Sequence, residues 1–164
     1  MLPDFHLASF RLATPRDLAA VDALLARSYP RLLAKDYPPS LMVMAVPRLA
    51  RAQPRLLASG RYHLALAGGQ VLAAGGWSGQ AGVGELRHLA TDPDHLRQGL
   101  ASGIVARVLD QARAEGVTLM TCLATLTAVP FYAAQGFRAQ GRVVVPLGPG
   151  IGFPAERMVR TLLQ

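Results

Sequence analysis

The run Asp92-Pro93-Asp94-His95-Leu96-Arg97-Gln98-Gly99-Leu100-Ala101-Ser102-Gly103-Ile104-Val105 brings together the groups needed to hold an anion. Before it, Val83 to Thr91 reads as a strand, and after it Leu100 to Glu115 has the spacing of an amphipathic helix. The first turn of such a helix leaves its N–H groups without partners, and the helix dipole adds partial positive charge there. Gly99 removes the Cβ that would hold a ligand off the main chain, and Ala101 keeps the following turn small. Arg97 and Gln98 supply further donors. A pyrophosphate fits this chemistry. The plainer alternative is that Gly99 only permits a tight turn. The pattern lacks the lysine of a G-x-x-x-x-G-K-[ST] loop and the three glycines of a dinucleotide fingerprint, so neither of those nucleotide sites is expected.

A second constellation follows about thirty residues on: Thr125-Leu126-Thr127-Ala128-Val129-Pro130-Phe131-Tyr132-Ala133-Ala134-Gln135-Gly136-Phe137. It reads as a short helix that Thr125 can cap and Gly136 ends. Phe131 and Phe137 anchor it, while Tyr132 can carry its hydroxyl to a cleft edge. The first run resembles the acyl-CoA loop of the GNAT acetyltransferases, [QR]-x-x-G-x-[GA], with Gly99 and Ala101 matching and Leu96 departing from the usual Arg or Gln. The second resembles that family's [NS]-x-x-A-x-x-F-Y-x-x-x-G-F signature, with Thr125 in the Asn/Ser position. The resemblance covers about Val83 to Leu163.

The resemblance implies an α/β (α+β) fold of one domain over residues 1–164. Its central sheet is mixed and mostly antiparallel, with about seven strands and about four flanking helices. Strands 4 and 5 run parallel and splay apart, with acetyl-CoA in the gap. A bulge in strand 4 would free main-chain groups of Leu89, Ala90 and Thr91 for the pantetheine arm. Arg97, Gln98, Gly99, Leu100, Ala101 and Ser102 would hold the diphosphate, with Thr125 and Phe131 also among the cofactor contacts. Leu89 to Thr91 otherwise reads as an ordinary buried strand end.

Acetyl transfer from a thioester to an amine requires that the ammonium lose a proton and that the departing thiolate gain one. An ammonium has a pKa near 10.4, so a base or a water chain is needed. Glu85 stands where some GNAT enzymes place that base; its alternative is an ion pair with Arg87 or another arginine. Tyr132 matches the family position that protonates the leaving sulfur; its alternative is a core tyrosine bonded to a carbonyl. The family transfers the acyl group directly in a ternary complex, so no nucleophilic cysteine is called for. Cys122, in an apolar strand, reads as packing. His88 and His95 are assigned no role. Nothing in the chain specifies the acceptor, for which Tyr29, Tyr37 and Trp77 are either lining or core.

A chain of 164 residues with 51% hydrophobic residues and a mean hydropathy of +0.27 is globular. The net charge is +7, but the basic residues are scattered arginines, with Lys35 the only lysine. No block of like charge and no nucleic-acid module is present, so a nucleic-acid partner is not expected. A single cysteine excludes an intrachain disulfide, and the four histidines show no metal spacing, so no metal is expected. The uncharged stretches 63–84 and 117–137 are interrupted by glycines, threonines and Pro130, which favours buried elements over membrane spans. The N-terminus lacks a signal-peptide pattern, so the cytoplasm is the expected compartment. A homodimer is common among similar proteins.

The remaining elements are expected as follows. Phe5 to Ala13 forms a strand, and a helix runs from Pro15 to Ser28 behind a Thr14 cap. Tyr29-Pro30 and Tyr37-Pro38-Pro39 punctuate a connection to a second helix, Ser40 to Arg51, in which Pro47 is a strain. Arg61 to Ala67 and Gln70 to Trp77 form a hairpin around Gly68-Gly69. Val117 to Ala124 is a strand, as is Arg138 to Val145; a loop through Pro154 leads to a last strand, Ala155 to Leu163. Three functions fit this reading: an acyl-CoA N-acyltransferase, a non-catalytic acyl-CoA sensor, or a basic nucleic-acid-associated protein.

Overall fold

The computed structural model describes residues 8–162. Seven strands form one sheet: β1 (Ser9–Leu12), β2 (Tyr62–Ala67), β3 (Gln70–Gln80), β4 (Val83–Thr91), β5 (Leu119–Thr125), β6 (Arg138–Gly148) and β7 (Ile151–Thr161). Their order is β1-β2-β3-β4-β5-β7-β6, and every neighbouring pair is antiparallel except β4 and β5. The helices are α1 (Leu18–Leu33), α2 (Pro39–Leu49), α3 (Pro54–Ala58), α4 (Leu100–Ala114) and α5 (Val129–Ala134). This is the mixed, mostly antiparallel sheet the motifs imply. No helix among the described residues is long and apolar enough to cross a membrane.

The β2–β3 hairpin closes where expected. Gly68 and Gly69 have φ of +57° and +77°, the left-handed pair that a tight hairpin turn needs and that glycine adopts without strain. One face of the sheet packs on α4 through Trp77, Leu86, Met120, Cys122 and Met158. The other packs on α1 and α3 through Leu64, Val71, Ala74 and Ala90 against Leu24, Leu25 and Leu57. The two faces fix both walls of the region between β4 and β5.

Several boundaries differ from expectation. The part of the first strand before residue 8 lies outside the described residues. Thr14 and Asp17 form a capping box, but over a 3-10 turn, Pro15–Asp17, and α1 then runs through Pro30 to Leu33. Pro30 and Ala26, whose carbonyl loses its partner, are both exposed, so water satisfies the freed group. Pro47 is accommodated in α2 in the same way, with Val43 four residues earlier 76% exposed. The short α3 was not anticipated; Pro54 starts it and Leu56 and Leu57 bury it. β7 begins at Ile151 rather than Ala155 and contains Pro154. There β7 has run past the end of β5, whose pairing starts at Ala155↔Thr125. The Pro154 carbonyl points to this open edge, where Tyr37 Oη donates to it at 2.6 Å. Its nitrogen faces the same edge, so no ladder bond is lost.

Candidate functional site

β4 and β5 pair only from Val83↔Leu119 to Leu86↔Cys122. Just beyond, β4 carries a bulge: Ala74 of β3 faces Ala90 and Gly76 faces Arg87, leaving Gly75 opposite both His88 and Leu89. His88 takes the left-handed conformation, φ +53°, which is uncommon for a residue with a side chain. Two features hold it there. Buried Tyr62 donates its hydroxyl to the His88 carbonyl at 2.9 Å. Gly75 leaves space that any Cβ would fill, since one built there would lie 2.7 Å from Leu89 Cδ1 and 2.9 Å from Ile104 Cγ2. After the bulge the parallel strands are unpaired, with Leu89, Ala90 and Thr91 on one side of the gap and Leu123 to Thr125 on the other. The Thr91 carbonyl accepts from buried Ser28 of α1 at 2.9 Å, so that expected free group is partly taken.

The turn between β4 and α4 is built around Asp92, which is 3% exposed. Its carboxylate accepts from the Asp94 amide at 2.8 Å and from Arg27 Nε at 2.7 Å, and lies 3.2 Å from His95 Nδ1. Burial works against its ionisation, but the Arg27, Asp94 and His95 hydrogen bonds and the Arg27 charge together lower its pKa. Arg27 also donates to the Val71 carbonyl at 2.7 Å, so α1 pins the turn to the sheet. Arg97 and Gly99 then both adopt positive φ, +60° and +77°. Gly99 is the N-cap of α4 and gives it no side-chain cap; a Cβ there would meet nothing within 4 Å. The first closed helical bond is Gly103 N–H to the Gly99 carbonyl at 2.9 Å, which leaves the amides of Leu100, Ala101 and Ser102 without helical partners. Gln98 Oε1 is buried without a hydrogen-bond partner, so the cradle also holds an unused acceptor. Arg97 is exposed, and so is Leu96, at 42%, which offers no polar group. Unpartnered amides behind an open glycine at one helix start fit a diphosphate, whose oxygens accept from N–H groups.

Across the gap, Ser102 Oγ accepts from Gln135 Nε2 at 3.0 Å, tying α4 to the segment that carries Tyr132. Tyr132 is buried, with its ring edge-on to Phe131 at 5.4 Å and to Phe137 at 5.5 Å. Its hydroxyl makes no hydrogen bond among the described residues. Burial, then the proximity of Cys122 and Tyr29, push its pKa well above 10. Gly136, φ +87°, ends α5 as expected. Thr125 does not cap the following turn with its side chain. The Leu126 amide is satisfied instead by Tyr37 Oη at 2.8 Å, a partner from a distant element.

Glu85 is half-buried and makes no ion pair with Arg87 or any other arginine among the described residues. It lies near enough to Cys122 for its charge, after burial, to help push that thiol up to about 12. Cys122 is therefore a protonated, buried thiol at neutral pH. His88 has a buried Nδ1 with no hydrogen-bond partner, and burial, followed by the Arg87 charge, lowers its pKa to about 4. Trp77 is core: it is buried and donates to Gln111 Oε1 at 2.8 Å. Tyr37 stacks on Phe153 at 4.4 Å and is also structural. Tyr29 is partly buried and packs against the core around Tyr62 and around Tyr37. Sequence reasoning missed Arg27, Ser28 and Tyr62, because each acts on a residue far along the chain.

Burial raises the pKa of Tyr29 to about 12 and those of Tyr62 and Tyr132 well above 10. In each case the folded value exceeds the unfolded one, so their contribution to stability is complete below pH 10 and lost above it. Thermal melts between pH 8 and 11.5 are expected to show Tm falling steeply from about pH 10. Flat behaviour to pH 11.5 would show that these phenols ionise freely in the fold.

The sheet thus loses its parallel pairing at a bulge in β4, beside a helix start that no side chain caps. The sequence profile of the acetyltransferase (GNAT) family matches residues 20–137, and the chain belongs to that family. Among solved structures, a GCN5-related N-acetyltransferase from Rhodopseudomonas palustris aligns over 99% of both chains, with a TM-score of 0.80 and 21% identity. The PaiA N-acetyltransferase of Thermoplasma acidophilum, solved with coenzyme A, aligns over 94% of this chain and 98% of its own, with a TM-score of 0.74 and 13% identity. A ribosomal-protein-S18-alanine N-acetyltransferase from Escherichia coli covers 96% of each chain, with a TM-score of 0.68 and 19% identity. At such identities the likeness is one of fold. No curated protein matches by sequence.

Proposed function

We propose that this chain transfers an acetyl group from acetyl-CoA to a primary amine, of a small molecule or a protein, by direct attack in a ternary complex. The observation that carries the reading is the loss of β4–β5 pairing after Leu86 and Cys122, with the His88 bulge opening the gap. Solved relatives of the same fold hold coenzyme A or acetyl-CoA, as in the Thermoplasma acidophilum protein above and a Salmonella typhimurium acetyltransferase.

In this reading the Leu100, Ala101 and Ser102 amides, with Gly99, Arg97 and Gln98, bind the diphosphate. The Leu89 to Thr91 edge of β4 lies along the pantetheine, opposite Thr125 and Phe131. Acetyl-CoA supplies an activated acyl carbon on a thioester. Glu85 accepts the proton that the amine sheds as the new C–N bond forms. Tyr132, kept protonated by its raised pKa, donates a proton to the sulfur as the C–S bond breaks, giving a free thiol. Cys122 takes no part, and no metal is required for this balance.

Release of free CoA thiol across a panel of amines tests the reading. Turnover above the water-only rate with at least one amine is the expected result. Binding of acetyl-CoA with no thiol release from any amine would favour a sensor instead. Glu85→Gln is expected to lower kcat on the order of 10²-fold while leaving CoA affinity unchanged, as loss of a general base does. Steady-state kinetics beside calorimetry would check it, and an unchanged kcat would remove Glu85 from the chemistry.

A further inference from the structure

We propose that the open groove between α1, α2 and α3 is a second anion site, for a small molecule with clustered carboxylate or phosphate oxygens. The groove holds about 710 Å³ and shares no residue with the acyl-CoA gap. That volume lies within the range of small-ligand pockets, about 300–1,000 Å³. α1 contributes to it through Leu18 and Asp22, whereas Arg27 and Ser28, further along the same helix, serve the cradle.

Arg48, Arg51 and Arg55 line the groove, and among the described residues none of them is in an ion pair. The one acid in the lining, Asp22, is committed: its Oδ1 accepts from the Ala52 amide at 2.6 Å, which fixes the α2–α3 connection. Arg48 lies over the β6–β7 turn, where Gly148 makes room for it; a Cβ there would come within 3.0 Å of Arg48 Nε. Its one hydrogen bond among the described residues, from Nη1 to the Met44 carbonyl, is long at 3.4 Å. The end of α2 offers about half a negative charge, too little with Asp22 to balance three guanidinium groups. The unbalanced charge matches a ligand of about −2. Guanidinium forks pair with carboxylate and phosphate oxygens alike, through two parallel hydrogen bonds.

The test is calorimetry on the full chain saturated with coenzyme A, which occupies any diphosphate site at α4, using citrate and inorganic pyrophosphate as probes. One site is expected for at least one probe, and which probe binds separates a carboxylate source from a phosphoryl one. In the Arg51→Ala/Arg55→Ala double variant the Kd for that probe is expected to rise about tenfold or more, with coenzyme A affinity unchanged, as loss of charged hydrogen bonds implies. Arg51→Lys/Arg55→Lys should fall between, because it keeps charge and loses the forks. Both exposed positions leave the fold intact, which a Tm near that of the parent would verify. Binding of neither probe, binding indifferent to the double variant, or displacement of coenzyme A by the probe would each overturn the proposal.

Discussion

Tyr132→Phe is expected to lower kcat on the order of 10²-fold while leaving the dissociation constant of coenzyme A within about twofold, the pattern of a lost general acid. The argument rests on what the hydroxyl does in the free protein. It holds up no other group: among the described residues it makes no hydrogen bond, while the ring packs edge-on against Phe131 and Phe137. Phenylalanine keeps that packing and orphans no polar partner, so stability should change by less than about 1 kcal/mol. A loss of turnover with an unchanged Tm and unchanged affinity is then a chemical effect. Turnover within about twofold of the parent would make Tyr132 a core residue only.

Gly99→Val should do the opposite, raising the Kd of coenzyme A about tenfold or more with a smaller effect on kcat at saturation. Gly99 sits at φ +77°, where a residue with a side chain is strained by about 1–2 kcal/mol. No neighbouring atom stands within 4 Å of a Cβ at this place, so the side chain meets no wall of the fold. It instead occupies the approach to the Leu100, Ala101 and Ser102 amides. Losing one charge-assisted hydrogen bond there costs about 1.5–3 kcal/mol, which sets the expected factor. Titration calorimetry checks it. Unchanged affinity would mean that the diphosphate is held elsewhere.

Local rules made much of the scaffold legible. β4 runs from Val83 to Thr91 as its pattern predicts, the paired glycines at 68 and 69 turn the hairpin, and α4 begins directly after Gly99. These are properties of neighbours in the chain. The errors arose where the tertiary surroundings overruled a local signal. Pro30 reads as a break, yet solvent on one face of α1 lets that helix continue, as α2 does through Pro47 where a helix was expected. Thr125 reads as a cap, but Tyr37 reaches the Leu126 amide first. Pro154 reads as loop, and the free edge of β7 tolerates it.

The candidate site divides the same way. Gly99 and the free amides behind it follow from the sequence, because a helix start after a glycine is a local event. The groups that hold the site in shape do not. The Arg27–Asp92 bond spans 65 positions and the Tyr62–His88 bond 26, and no periodicity in the chain announces either. Even the bulge, expected near Leu89 to Thr91, is centred one residue earlier because Gly75 offers its space to His88 and Leu89 together.

The central claim is that coenzyme A lies in the β4–β5 gap with its diphosphate on the first amides of α4. A crystal structure of the chain with acetyl-CoA measures this directly. The account predicts diphosphate oxygens within hydrogen-bond distance of the Leu100, Ala101 or Ser102 amides and the thioester sulfur near Tyr132 Oη. A diphosphate seated in the Arg48, Arg51 and Arg55 groove, with the gap between the strands left vacant, would contradict it.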